Sequence, residues 1–484
     1  TGISLFASEI EKKLQLLLQF SGFHFFNPFI HVSFYPKRLS MNRNVKDEQQ
    51  HGITLFWFRR DLRLNDNTGL YEALKFNAPV LPVFIFDSHI LNRLIDKKDR
   101  RISFIYEVLS QIHNELVGRG SSLLVLKGDP LEMIRNLTQK YPVKAVYCNH
   151  DYEPYARERD QVVSKWLQTQ QISFFSFKDQ VIFEKTEIMK GDGTPYTVFT
   201  PYSVKWKQKL GEDELKFFPS EQFREMFYQT APFPFPEIED FGFEKVDTPA
   251  VNPVVDKEII RNYHLTRNFP AVDGTTRLSV HLRFGTVSIR DLVITARQLN
   301  EAWLNELIWR EFFMMILYHF PQVETASFKK QYEFIRWRNH EDEFRRWCAG
   351  ETGYPIVDAG MRELVETGFM HNRVRMVAAS FLTRHLLIDW RWGEAWFAEK
   401  LLDFELSSNN GNWQWAAGCG CDAAPWFRIF NPGEQQRKFD PDKNYIGKWI
   451  KNPDGPGYPP PIVGHAFARE RAIQTYKTGL GTTV

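Results

Sequence analysis

From Ile53 onward, short apolar runs rich in β-branched and aromatic residues alternate with helix-length stretches, and the alternation stops midway along the chain. The runs are Ile53–Phe58 and residues 80–86, 123–127 and 143–148, with helices expected at Arg100–Val117 and Pro130–Lys140. Parallel strands need a crossover between them, so this spacing predicts a doubly wound parallel α/β domain over residues 52–182, with ligands at the carboxyl ends of its strands. Residues 183–250 carry Pro- and Phe-rich turns with little periodicity and read as an inter-domain connector. After Pro253, apolar residues recur at three- and four-residue spacing in 278–282, 289–317, 342–349, 354–367, 373–387 and 393–402. Residues 251–484 are therefore expected to form a large all-α domain, rich in Trp and Arg.

Residues 1–51 precede the first strand. Glu9, Glu11, Lys12 and Lys13 spoil a secretory signal, and a transit peptide is poorer in acids. Met41 reads as a plausible native start, and 1–51 as an appended or disordered extension.

Composition excludes several classes. With 484 residues, 43% of them hydrophobic, the chain is neither disordered nor collagen-like. The 61 Lys+Arg against 59 Asp+Glu rule out coating nucleic acid by overall charge, so any such surface must be local. Four cysteines without a CxxC pair point to a reducing cytosol, and Cys419-Gly-Cys421 lacks the partners of a metal site. No apolar stretch approaches the roughly 18–20 residues of a membrane span, so a soluble, cytoplasmic protein is expected. The first strand runs into Phe56-Trp57-Phe58-Arg59-Arg60-Asp61-Leu62-Arg63 instead of GxGxxG, which excludes the usual NAD fingerprint.

Five polar constellations in the helical half are candidates for chemistry. Asp273–Ser279 puts a Gly, three hydroxyls and an Arg at a helix start, where a pyrophosphate could bind; an N-cap by Thr275 or Thr276 accounts for the same letters. Trp303, Glu306 and Arg310 fall on one helix face, beside Trp309. Asn372 and Met376 lie one turn apart, flanked by Arg373 and Arg375. In Asp403–Trp415, amides, a Gly and two tryptophans do not suit an ordinary core strand or helix face, and read as hydrogen-bonding groups for a planar heterocycle. Arg428, Gln435 and Lys438 follow; converging with Arg310 and Arg373, they would form a phosphate-gripping rim among aromatics.

Across about residues 52–445 the chain resembles the photolyase/cryptochrome family, and within it the class I cyclobutane pyrimidine dimer (CPD) photolyases. The resemblance rests on Leu55–Leu64, Asp273–Ser279, Trp303–Glu311, Gly353–Ala359, Met370–Met376, Leu387–Trp390 and Asn409–Trp415. It implies an α/β domain joined to a helical domain holding FAD, and light-driven electron transfer from the reduced flavin to a cyclobutane dimer in UV-damaged DNA. By motif match, Tyr263, Thr275, Thr276, Arg277, Leu278 and Ser279 contact the FAD phosphates and ribose. Arg375 and Asp403 pair beside the isoalloxazine, and Asn409 faces flavin N5. Glu405 stands where the family usually has Asp, which moves a hydrogen bond to flavin or ribose. Glu306 bonds the dimer's bases, with Asn372 and Met376 in the lesion pocket. Trp303, Trp309, Arg310, Arg373, Trp415 and Gln435 match lesion-pocket or DNA contacts. Trp413, Trp390 and Trp337 match a photoreduction chain, although each suits a core indole equally.

A second, antenna chromophore (folate, deazaflavin or flavin) is common in the family, and the α/β domain offers 84–89 or 149–153 for one. The resemblance implies neither metal nor membrane, and a monomer. A blue-light receptor without repair activity is the alternative; the Glu306, Asn372, Met376, Asn409 and Trp415 set and the modest segment after Lys451 speak against it. A (6-4) photolyase has His at the positions of both Asn372 and Met376.

Overall fold

The computed structural model describes residues 52–76, 78–248 and 253–481, so the expectations for 1–51 lie outside the described residues. Five parallel strands form one sheet in the order β3-β2-β1-β4-β5. They are β1 Ile53–Phe58, β2 Val80–Asp87, β3 Leu124–Gly128, β4 Val143–Asn149 and β5 Ser173–Phe177. Because side chains alternate across a strand, Phe56, Phe58 and Phe84 pack on one face with Phe104 and Leu109, and Leu55, Trp57 and Val83 on the other with Ile134 and Val163. Helices Arg100–Val117 and Pro130–Lys140 have the expected limits; Asp99 and Asp129 cap them by accepting from Arg101 N and Glu132 N. β5 gave no clear signal because it is an edge strand with no fully buried residue.

The 183–250 segment is more structured than a linker. It holds the helix Phe199–Lys209, whose Tyr202 and Trp206 are buried in the helical half, and Phe227, Phe241 and Phe243 pack into the sheet's core. The 289–317 stretch is two helices, Ile289–Leu299 and Glu301–His319, broken at Asn300, whose side chain accepts from Ala302 N and Trp303 N. The 373–387 stretch is the α-helix Asn372–Ser380 continued by a π-helical turn, Phe381–Leu386.

The chain leaves β1 in both directions across the sheet, so the topological switch point lies between β1 and β4. There the two halves meet. Gly285 has φ +67° and its Cβ position lies 2.2 Å from the Arg60 carbonyl, a contact only glycine permits. Arg60 pairs with Asp151 (3.2 Å), Glu153 (3.0 Å) and Glu405. From the helical side Arg283 reaches Glu153 (3.1 Å) and Arg310 reaches Glu405 (3.3 Å).

Candidate functional site

The helices Trp390–Lys400 and Leu406–Ala417 press together at Gly393, where a Cβ would lie 2.1 Å from the Trp413 ring. Between them and the helix Asn372–Ser380 lies a cleft lined by Asn372, Arg375, Met376, Phe397, Asp403, Glu405, Asn409, Trp413 and Trp415, among others. Asn372 and Met376 meet it from successive turns of one helix. Arg375 donates to both oxygens of Asp403 (3.2 and 2.9 Å) and to the Met370 carbonyl (2.7 Å), a forked pairing that fixes the guanidinium at the cleft.

Cations collect at the mouth. Burial, then Arg375, Arg373 and Arg277, push the His371 imidazole down to about 4, so it is neutral, and its buried Nε2 has no partner among the described residues. Arg277 is exposed, with φ +52°, in the Asp273–Ser279 loop. Neither Thr275 nor Thr276 caps the helix Ser279–Phe284: its N-cap is Leu278, which makes no side-chain cap bond, so the amides of the first turn are free of one. Buried Tyr263 lies beneath the Arg267 guanidinium (5.2 Å), and Arg267 pairs with Glu306 at 2.5 Å. Burial pushes the Glu306 carboxyl up while Arg267 pulls it back. Burial, Arg267 and Arg428 together disfavour charge on Arg373, which lies over Phe439 (4.3 Å) and donates to Asn268 (2.6 Å).

Several expectations are corrected. Arg310 is not on a rim: it donates to the Gln180 (2.7 Å) and Leu282 (3.1 Å) carbonyls and pairs with Glu405, inside the seam between the halves. Trp303 does not share an open face with Glu306; it is buried in the helical core. Trp309 is half-buried, with its face covered by Phe199 at 3.7 Å. Residues 406–417 form an ordinary helix after all, and its amides divide by face. Asn410 and Gln414 hold the Val323 carbonyl, and Gln414 also accepts from Phe328 N, so only Asn409 and Asn412 reach the cleft. Glu405 borders the cleft, but its carboxylate accepts from Arg60, Arg310 and Ser408 (2.9 Å); burial opposes the charge and the arginines hold the pKa below its usual value.

Gln435 lies half-buried, and its Oε1 has no partner among the described residues. Trp413, Trp390 and Trp337 belong to one aromatic core of the helical half, the first two buried and Trp337 half-exposed. At the carboxyl ends of the strands, Asn149 bonds Asp61 and Asn67, Asp151 and Glu153 sit in the seam, and Asp87 accepts from Tyr155 (2.7 Å). Both antenna candidates are thus engaged in internal contacts. Arg267 and Arg60 escaped the sequence reading: Arg267 sits in no recognisable spacing, and Arg60 lies in a motif whose partners are 91 to 345 residues away. Among the described residues no His, Cys, Asp and Glu cluster could hold a metal, and no helix is long and apolar enough to cross a membrane.

A parallel α/β sheet docked on a helical half with a cation-mouthed, Trp-backed cleft defines a two-part protein built for an anionic, aromatic ligand. Residues 54–220 match the family profile described as DNA photolyase, and 303–456 that described as the FAD binding domain of DNA photolyase. A deoxyribodipyrimidine photo-lyase of Synechococcus is 37% identical over 87% of this chain and 96% of its own length. A bacterial class III photolyase structure from Agrobacterium tumefaciens has TM-score 0.78 at 30% identity, covering 92% of this chain and all of that one. An archaeal photolyase structure from Sulfolobus tokodaii, with two FAD molecules, has TM-score 0.72 at 32% identity over 88% of this chain and 99% of its own. The chain belongs to the DNA photolyase/cryptochrome family.

Proposed function

We propose that this protein is a light-driven repair enzyme that splits cyclobutane pyrimidine dimers in DNA, with FAD in the helical cleft. The carrying observation is the pairing of a Trp-backed cleft, bordered by Asn372 and Met376, with a mouth where arginines outnumber acids and Arg267 holds Glu306. The residues present fit FAD: uncapped amides at Ser279, Arg277 and the His371 Nε2 without a partner among the described residues suit a pyrophosphate. Thr275, Thr276 and Tyr263 flank that position. Arg375, Asp403 and Asn409 offer hydrogen bonds to a flavin edge. Bound and reduced, FAD supplies the light-excited electron; the protein positions, tunes and dries the site.

Glu306 is the residue we assign to the lesion bases. Arg267 holds its carboxylate at one oxygen, leaving the other to accept from a base N–H. Arg267, Arg373 and Arg428 supply phosphate contacts, and Trp415 and Gln435 border the base. A damaged pair is already poorly stacked, so drawing it out of the duplex costs less than drawing out an intact one; photolyases are themselves a standard example of such base flipping. Two neutral side chains, Asn372 and Met376, favour the cyclobutane lesion over chemistry that needs a histidine acid. Trp413, Trp390 and Trp337 carry electrons in from the surface to activate the flavin.

Glu306→Ala tests the reading. It should lower the quantum yield of dimer repair by about tenfold or more while changing affinity for dimer-containing DNA by less than about threefold, with Glu306→Gln intermediate. Equal loss of both would make Glu306 a binding residue only.

A further inference from the structure

The helix His465–Gly479 is docked by an apolar inner face. Ala468, Ala472 and Tyr476 are buried, the Tyr476 hydroxyl donates to the Ala417 carbonyl (3.1 Å), and the Arg384 guanidinium lies over its ring (4.2 Å). The first turn is held differently. Gly464 at the N-cap has no side chain to cap it, and His465 at the first position meets His385 of the π-helical turn Phe381–Leu386, with His465 Nδ1 2.9 Å from His385 Nε2. His465 is half-buried. His385 is fully buried, stacked on Phe381 (4.8 Å) and 6.1 Å from the Tyr354 ring, and its Nδ1 has no partner among the described residues.

A bond between two imidazole nitrogens needs one N–H and one lone pair. With both rings neutral, the arrangement that leaves no buried N–H unpaired has His385 donating from Nε2 to His465 Nδ1. A proton added at His465 Nδ1 turns that acceptor into a donor. His385 must then carry its own proton on Nδ1, where no acceptor lies among the described residues, or the bond is lost. The surroundings oppose the added charge as well. Arg471 donates to the His385 carbonyl (2.6 Å), Arg469 acts on His465, and Arg338, paired with Glu343 (2.7 Å), lies near Arg471. No carboxylate pairs with either ring among the described residues, and a cation at the first position of a helix opposes the helix dipole. Burial, then His465 and Arg471, push His385 down to about 3; burial, then Arg469, lowers His465.

We propose that His385 and His465 form an acid-released latch that holds the first turns of the helix His465–Gly479 against the helical half while both rings are neutral, and frees them when the pair takes up a proton. The undocked chain binds that proton at the ordinary value of 6.5 and the docked pair only at lower pH. Docking is therefore fully favoured above about pH 6.5 and weakens by up to about tenfold per pH unit below it for each proton taken up. Release uncovers Tyr476 and, beside it, Arg384 and the Trp337 ring (6.0 Å), opening this face of the aromatic core to water. The latch needs no ligand in the cleft.

The test is hydrogen–deuterium exchange of the whole chain between about pH 7.5 and about pH 5, as protection factors that divide out the intrinsic pH dependence of exchange. Peptides covering 465–479 should lose roughly tenfold or more in protection below about pH 6.5, while the helix Arg100–Val117 keeps its own. His465→Gln takes up no proton and keeps a hydrogen bond to His385, so it should flatten the profile. His385→Gln should flatten it too, because its amide can turn its oxygen toward a protonated His465. Either variant suffices should the other fail to fold. A flat parental profile, or protection lost in step with Arg100–Val117, would overturn the latch. So would a parental slope retained in the variants, which would place the titration elsewhere.

Discussion

The arginines at the seam between the halves and those at the mouth of the cleft have opposite surroundings. At the seam, Arg60, Arg283 and Arg310 meet Asp151, Glu153 and Glu405, so three cations face three anions, with Arg60 and Glu405 buried and the rest half-buried. At the mouth, Arg267 has Glu306 and Arg375 has Asp403, Arg277 reaches only a distant Asp273 (3.7 Å), and Arg373 and Arg428 have no carboxylate partner among the described residues. A neutralised cluster has no affinity left for an incoming anion, whereas cations left without anions mark where one binds. Sequence alone does not separate the two sets, since Arg310 and Arg373 stand in equally suggestive motifs.

The largest effect should come from breaking the seam. Arg60→Ala leaves Asp151 without an ion-pair partner among the described residues and Glu405 with Arg310 alone, and should destabilise the protein by about 3 kcal/mol in chemical denaturation, because removing one partner of a buried pair leaves charge uncompensated. A loss under about 1 kcal/mol would mean that water enters the seam and that it resembles an exposed network.

At the mouth the opposite pattern is expected. Arg373→Ala and Arg428→Ala should each reduce the slope of log affinity for DNA against log salt by about 1, with little change in folding stability. Arg310→Ala, by contrast, should change stability and leave the slope alone. If all three variants altered the slope equally, the distinction between seam and mouth would fail.

Trp337→Phe touches neither cluster. It should slow photoreduction of oxidised FAD several-fold while repair by pre-reduced protein continues; unchanged photoreduction would remove Trp337 from the electron route.

The smallest effect concerns a buried acid with no arginine. Glu311 accepts from Ile182 N (2.8 Å), Phe183 N (3.0 Å) and Trp206, tying the 183–250 segment to the helical half. Burial raises its carboxyl from the usual 4.5 to about 7 against those donors. The folded state thus holds the proton more tightly than the unfolded one, so stability from this group is full below about pH 4.5 and falls as pH rises to about 7. Glu311→Gln should flatten that part of the stability profile; an unchanged slope would place the titration elsewhere.

Periodicity made the architecture legible. The strand spacing and the shift to helical spacing after Pro253 name both halves, and helix limits such as Arg100–Val117 follow from Asp caps and amphipathic runs. β5 and the helix Phe199–Lys209 were hidden, the first because an edge strand buries little, the second because a mostly polar, Pro-containing stretch has weak periodicity. Within the site, residues one turn apart on a helix, Asn372 and Met376, were placed together correctly by spacing. Pairings across the fold were not readable: nothing near Glu405 announces Arg60, and nothing near Glu306 announces Arg267. Tryptophans misled for a related reason, since an indole that stacks on DNA and one that fills a core, as Trp303 does, look alike in sequence.

The central claim is that the cleft and its arginine mouth act on a cyclobutane dimer. Its most direct test exposes three oligonucleotides, carrying a cyclobutane dimer, a (6-4) product or no lesion, to the reduced holoprotein under blue light and in the dark. Restoration of the cyclobutane substrate alone, and only in the light, is the result expected from Glu306, Asn372 and Met376 in that arrangement. No repair by protein whose spectrum shows bound FAD, or repair of the (6-4) product instead, would contradict it.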